Sequence, residues 1–201
     1  MTILANGFLA YLCLRVINEK KLLRTLDFKS NFKLFILGSF MATVVVGSIY
    51  GLYIGFKGKI DFGFFISLQL TTVSFSLVHH FFVALFEEAL FRGILLSSLQ
   101  RKCPAFLAII ISSMIFALPH VIHKPAPVEL LSIFLGGCLL ASLVVKNRSL
   151  GSAVGFHLMW NLLTVQLPDQ ALWDVISVGV LFLSICVFSV FQKLKHMQFP
   201  N

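Results

Sequence analysis

The chain of 201 residues is 58% hydrophobic and 12% charged, contains 22 Phe, and carries a net charge of +8. Its apolar residues come in long runs and not in stripes, which is the composition of a chain solvated by lipid and excludes a soluble globular enzyme. The basic residues sit in short connecting loops without aromatic interleaving, so the positive charge reads as a topology signal and not as a nucleic-acid surface.

A hydrocarbon core of ~30 Å takes about 20 helical residues to cross, and lipid cannot satisfy open backbone groups, so the apolar runs must be helices. The first run, Thr2 to about Ile17, is interrupted by Asn6, Gly7 and Arg15; it reads as a weak span, a signal anchor or an interfacial helix. No small-residue cleavage site follows it, which argues against a removed signal peptide. A basic stretch with Lys20, Lys21, Arg24, Lys29 and Lys33 leads into a span from Leu34 to Phe56, closed by Lys57, Gly58 and Lys59.

From Phe62 to Gln100 the apolar character is continuous, yet as one helix it would be almost 60 Å long at ~1.5 Å per residue. A break is expected at Thr71, Thr72, Ser74 and Ser76, giving a short element and then a helix from about Leu77 to Gln100. Arg101-Lys102-Cys103-Pro104 is a turn, with proline opening a helix from about Pro104 to Pro119-His120. A proline-marked loop follows. The next helix covers about Val128 to Val145, where Gly136-Gly137 allows close approach of a neighbour. After the turn at Lys146 to Ser149, a helix covers about Leu150 to Leu167, and a last span runs from Ala171 to Phe191 before a basic tail. The expected fold is all-α: a polytopic membrane bundle of about 7 to 8 transmembrane helices. It divides into N-terminal segments 1-76, a core 77-167 and a C-terminal helix and tail 168-201. The scattered Cys13, Cys103, Cys138 and Cys186 read as small apolar fillers.

Ionisable residues inside spans cost roughly 2.5 to 3.5 kcal/mol each on insertion scales and are functional candidates for that reason. They are His79, His80, Glu87, Glu88, Arg92, His120 and His157, with Asn161 as an uncharged companion, while Asp174 lies near a helix end and reads as interfacial. Glu88 and Arg92 are four residues apart and share a helix face, whereas Glu87 is turned about 100° from Glu88 and about 140° from Arg92. Arg92 can neutralise Glu88 and leave Glu87 unpaired, which is what a general base in an apolar interior requires. The plainer reading is that both glutamates share Arg92 as a structural knot between two helices.

Counting back from the turns at ~1.5 Å per residue puts Glu87 ~21 Å, His120 ~27 Å, His157 ~12 Å and Asn161 ~18 Å from the same end of the bundle. His157 and Asn161 also share a helix face. With ordinary helix tilt, one carboxylate, two imidazoles and a carboxamide can meet in one pocket.

E-E-x-x-x-R at Glu87 to Arg92, F-x-x-x-H at Phe116 to His120 and H-x-x-x-N at His157 to Asn161, in this order, resemble the CPBP family of CAAX proteases and bacteriocin-processing proteins, also called the Abi family. The flanking FRG, SSMIFALPH and NRSLGSAVGFHLMWN are similar to the family's phrasing, over roughly residues 77 to 167. The resemblance implies an intramembrane endopeptidase related to type II CAAX prenyl endopeptidases, acting on a peptide or a membrane-associated protein. It implies that Glu87 and His120 hold and activate a water, and that His157 and Asn161 serve the oxyanion. Family members are often named metalloproteases, and Glu87, His120 and His157 could supply three ligands to a divalent metal such as zinc. A metal-free, glutamate-activated water fits the residue types better.

His79, His80 and His123 match no motif and read as packed or loop residues. Two rival functions differ in class. One is a non-catalytic bacteriocin-immunity or scaffolding protein, against which the intact motifs argue. The other is a transporter with a proton relay, against which the lack of duplicated halves argues. Membrane lipids are the expected surroundings. The small size and the absence of a transit peptide point to a bacterial inner membrane. If the element from Phe62 to Ser76 does not cross, the basic loops at 20-33, 101-102, 146-148 and 193-195 all fall on one side, leaving Lys57, Lys59 and Lys124 opposite.

Overall fold

The computed structural model describes residues 3–21, 28–58, 70–123, 125–164 and 170–198. All of the regular structure among them is helical. Helix α1 is Ile3–Glu19 and α2 is Phe28–Lys57. Helix α2 ends at Gly58, whose φ of 67° takes the left-handed conformation that glycine adopts without steric cost and lets its N–H close on the carbonyl of Ile54.

Helix α3 differs from expectation. It runs through the Thr71 to Ser76 cluster without a break, as Leu70–Glu88, a π-helical segment Ala89–Leu96 and a last turn Ser97–Leu99. Hydroxyls do not break a helix in lipid, because each can bond back to a carbonyl one turn earlier. Thr43 to Ser39, Ser48 to Val44, Ser142 to Cys138 and Ser184 to Val180 all do so in this chain. The expected element from Phe62 onward lies outside the described residues as far as residue 69.

Helix α4, Ala105–Ala117, starts after Pro104 and continues as a 3-10 segment, Leu118–His123. Pro119 has no N–H to give to a carbonyl one α-turn back, and its ring crowds that carbonyl, so the chain tightens there. Helix α5, Pro127–Asn147, places proline in its first turn and ends on Arg148 at φ 51°, whose N–H returns to Val144. Helix α6, Gly151–Thr164, is buried on all sides through its first eight residues. Helix α7 is Gln170–Gln198. The end expected for α6 at Leu167 and the turn at Pro168 lie outside the described residues.

Around α6 stand α2, α3 and α5, and α7 packs on α5 and α2. The approach of α2 to α6 is a backbone contact. A Cβ on Gly151 or Gly155 would overlap the carbonyls of Asn31 or Phe35, and one on Gly38 would overlap Ser152. Gly151-x-x-x-Gly155 thus forms a small-residue face that lets two helices touch. Gly137 makes the approach expected of the Gly136-Gly137 pair: its Cα lies against Ser113, Phe116 and Arg92. Next to Gly136 there is open space instead.

Among the described residues three helices are long and apolar enough to cross a membrane alone, namely Asn31–Lys57, Ala105–His123 and Pro127–Asn147; Leu172–Val187 is a shorter apolar helix. Their outward faces carry Phe40, Phe106, Met114 and Phe182, all exposed. Such faces are stable only in lipid.

Candidate active site

The two glutamates separate as helix geometry requires. Glu88 is fully buried, and its Oε1 accepts from Arg92 Nη1 at 3.0 Å. The Arg92 guanidinium is itself 1% exposed, donates Nη2 to the carbonyl of Gly137 at 3.3 Å, and lies 4.0 Å above the ring of Phe116. One buried charge is therefore satisfied from three directions: a carboxylate, a carbonyl and an aromatic face. Glu87, one residue earlier, keeps a side chain that is 25% exposed.

The π-helical segment begins directly after the two glutamates and contains Arg92. Its i→i+5 bonding widens the turn, and Ser97 donates its hydroxyl to the carbonyl of Arg92 at 3.3 Å. Such segments recur at functional sites because they place a side chain where a regular α-helix cannot.

Helix α6 brings in His157. Its Nδ1 lies 2.9 Å from Oε1 of Glu88, and its Nε2 lies 3.7 Å from Oε2 of Glu87. An ionised carboxylate only accepts, so His157 donates Nδ1–H to Glu88. This is a role for Glu88 that pairing along α3 cannot disclose. Besides neutralising Arg92, it fixes the ring of His157, as a carboxylate fixes the catalytic imidazole of a hydrolase. The knot of both glutamates on Arg92 does not form, since Glu87 turns toward His157.

His120, half-buried on the 3-10 segment, has Nδ1 at 3.2 Å from the carbonyl of Phe116. A carbonyl can only accept, so Nδ1 carries the hydrogen, and in the neutral ring Nε2 is then the acceptor. Phe116 is the hub. Its ring meets His120 at 5.3 Å and His157 at 6.1 Å between centroids, with Arg92 on its face.

His120, His157 and Asn161 line one cavity of about 110 Å³, walled by Phe116, Phe156 and Trp160. Three of the four expected site residues thus share a cavity, and the fourth, Glu87, reaches it through His157. Sequence reading missed Ser132 of α5, which is buried and lines the same cavity one turn before Gly136. A serine two turns into an apolar helix gives no signal until α5 is rotated against α6. His79 and His80 meet edge to face on α3, and neither lines this cavity.

Among the described residues no three of His, Cys, Asp and Glu come together closely enough to hold one ion, and a zinc site needs three protein ligands. Glu87, His120 and His157 are therefore not a ligand set in this arrangement.

Residues 69–163 match the family described as Rce1-like, type II CAAX prenyl endopeptidase Rce1-like. This stretch is an Rce1-like domain. The family is a protease family, and all of the residues just described, from Glu87 to Asn161, lie inside the match. The Rce1-like domain covers a little under half of the chain. No curated protein and no solved structure matches the chain. With three helices able to cross a bilayer and an Rce1-like stretch between α3 and α6, the chain is an integral membrane protein.

Proposed function

We propose that the chain is an intramembrane endopeptidase in which a water held between Glu87 and His120 attacks a peptide carbonyl. The observation that carries this reading is the convergence of His120, His157 and Asn161 on one cavity, with the Glu87 carboxylate 3.7 Å from His157 Nε2. At about 30 Å³ per water, that cavity takes three or four water-sized groups. This is room for the nucleophile and one peptide unit.

Glu87 and Nε2 of His120 are both acceptors, so they orient the two hydrogens of one water and leave an oxygen lone pair to attack. Glu87 takes one proton as the C–O bond forms. The carbonyl oxygen becomes an oxyanion that receives hydrogen bonds from His157 Nε2–H, the Asn161 amide and the Ser132 hydroxyl. Glu87 then returns its proton to the nitrogen as the C–N bond breaks, so water is divided between the two products. Glu88 is a positioning residue that holds and aims the ring of His157. The substrates are short peptides or membrane-anchored proteins, and the membrane is the bacterial plasma membrane.

The test is cleavage of internally quenched C-terminal peptides, prenylated and unprenylated, by the purified protein in liposomes, with Glu87→Gln as control. The wild type should cleave, and Glu87→Gln should fold normally and lose at least about 10²-fold in rate. Turnover by Glu87→Gln equal to wild type, or no cleavage above the control for any peptide, overturns the reading.

A further inference from the structure

A second cavity, of about 560 Å³, lies further along α5 toward its C-terminal end than the candidate site, between α2, α5, α6 and α7. Its floor is Leu139 and Leu143 of α5, both buried, and its rim is Leu37, Phe40 and Val44 of α2 with Val187 of α7, all exposed. One end is different. There the lining is Lys146 and Asn147, at the last turn of α5, and Asn147 donates to the Ser152 hydroxyl at 2.9 Å.

Two further cations stand at that same end. Arg148 follows directly and is exposed, held outside the helix by its left-handed backbone. Lys33 is exposed on α2 and, at about 100° per residue, falls within about 60° of Leu37, Phe40 and Val44. The level of Lys33 is set by its neighbours: Asn31 accepts from the Ser149 hydroxyl, and its backbone touches Gly151. Lys146 thus lines one end of a mostly apolar groove, with Lys33 and Arg148 at the same level of the bundle. At about 30 Å³ per water-sized unit, the groove has room for about 18 such units, the size of one acyl chain.

The wider distribution of charge says which leaflet this is. Arg101 reaches the carbonyl of Lys20 at 3.3 Å, and Ile17, Gly93 and Leu150 lie at one level. Lys20, Lys21, Lys33, Arg101, Lys102, Lys146 and Arg148 thus gather at one end of the bundle, which the positive-inside rule assigns to the cytoplasm. Anionic lipids give that leaflet its negative surface.

We propose that this groove is a binding site for one acidic phospholipid, with an acyl chain along α2 and α5 and the phosphate among Lys33, Lys146 and Arg148. A second copy of this chain is disfavoured as occupant, because it would bring two sets of three cations together. The proposal does not depend on the chemistry of the Glu87 site.

Native mass spectrometry of the full-length protein tests it, with dioleoyl phosphatidylglycerol and dioleoyl phosphatidylcholine offered at equal concentration. One phosphatidylglycerol should be retained in preference. A basic residue near an acidic lipid surface is worth about fivefold, so Lys33→Gln with Lys146→Gln should lower that preference about 25-fold. The Lys33→Arg, Lys146→Arg pair should keep it and controls for folding. Val44→Trp should expel the bound lipid by filling the groove, and glycerophosphoglycerol, which has no tail, should not compete. Equal retention of the two lipids, an unchanged preference in the glutamine pair, competition by the tail-less headgroup, or a lipid-free dimer would each overturn the proposal.

Discussion

Replacing Glu88 by Gln removes the negative charge beside the buried Arg92 cation, at a place where water cannot compensate. The amide oxygen can still accept from Arg92 and His157, so the lost quantity is charge and not shape. Arg92 is then a 1% exposed cation with only the Gly137 carbonyl and the Phe116 face beside the neutral amide. Breaking a buried pair from one side costs about 3–5 kcal/mol, and the contacts to Gly137 and Phe116, present in the wild type as well, do not offset it. For a chain of this size the apparent melting temperature in detergent should fall by roughly 5–15 °C. Adding Arg92→Met removes the stranded cation and keeps the aliphatic stem on Phe116, so the double variant should recover most of the stability. It should not recover turnover of the quenched peptides, because His157 still lacks the carboxylate that fixes its ring. Stability and activity thereby separate. If Glu88→Gln melts like the wild type, or if the double variant regains both stability and turnover, the assignment of Glu88 to Arg92 and His157 together is wrong.

Asn161→Ala should leave the fold intact and lower kcat by on the order of 10²- to 10³-fold with residual turnover, as expected for one oxyanion donor; complete loss would point to a different role. Ser132→Ala should lower kcat more than it raises KM, since its hydroxyl acts on the oxyanion, and an effect confined to KM would make it a ground-state contact. Prolonged exposure to 1,10-phenanthroline should leave activity unchanged. Loss with the chelator and recovery with added zinc, together with near-stoichiometric metal in elemental analysis, would move Glu87, His120 and His157 into the role of ligands.

Much of this site was legible because membrane burial makes polar residues conspicuous. Glu87, Glu88, Arg92, His120, His157 and Asn161 stand out against Phe, Leu and Ile at a cost that lipid does not tolerate without reason. The Glu88–Arg92 pair followed from helical spacing alone, and helix rise placed the remaining groups at compatible depth. The break expected at Thr71 to Ser76 failed for the opposite reason: hydroxyls look polar in the sequence, but inside a helix they bond to their own backbone. Gly151-x-x-x-Gly155 was equally visible in the letters, yet its partner, the backbone of α2 from Asn31 to Gly38, could not be named from them.

The sequence by itself determined that the chain is helical and lives in lipid, which residues could carry chemistry, and that Glu87 and Glu88 point different ways. Those properties depend on transfer free energies and on rotation per residue along one helix. Only the tertiary structure decided that Glu88 also holds His157, that Phe116 stands between Arg92 and both histidines, that Ser132 enters the cavity, and that Lys146 lines one end of a groove between α2 and α5. Each of these depends on how far one helix is turned about its own axis against another. That angle is set by close packing at Gly38, Gly137, Gly151 and Gly155, and no periodicity within a single helix contains it.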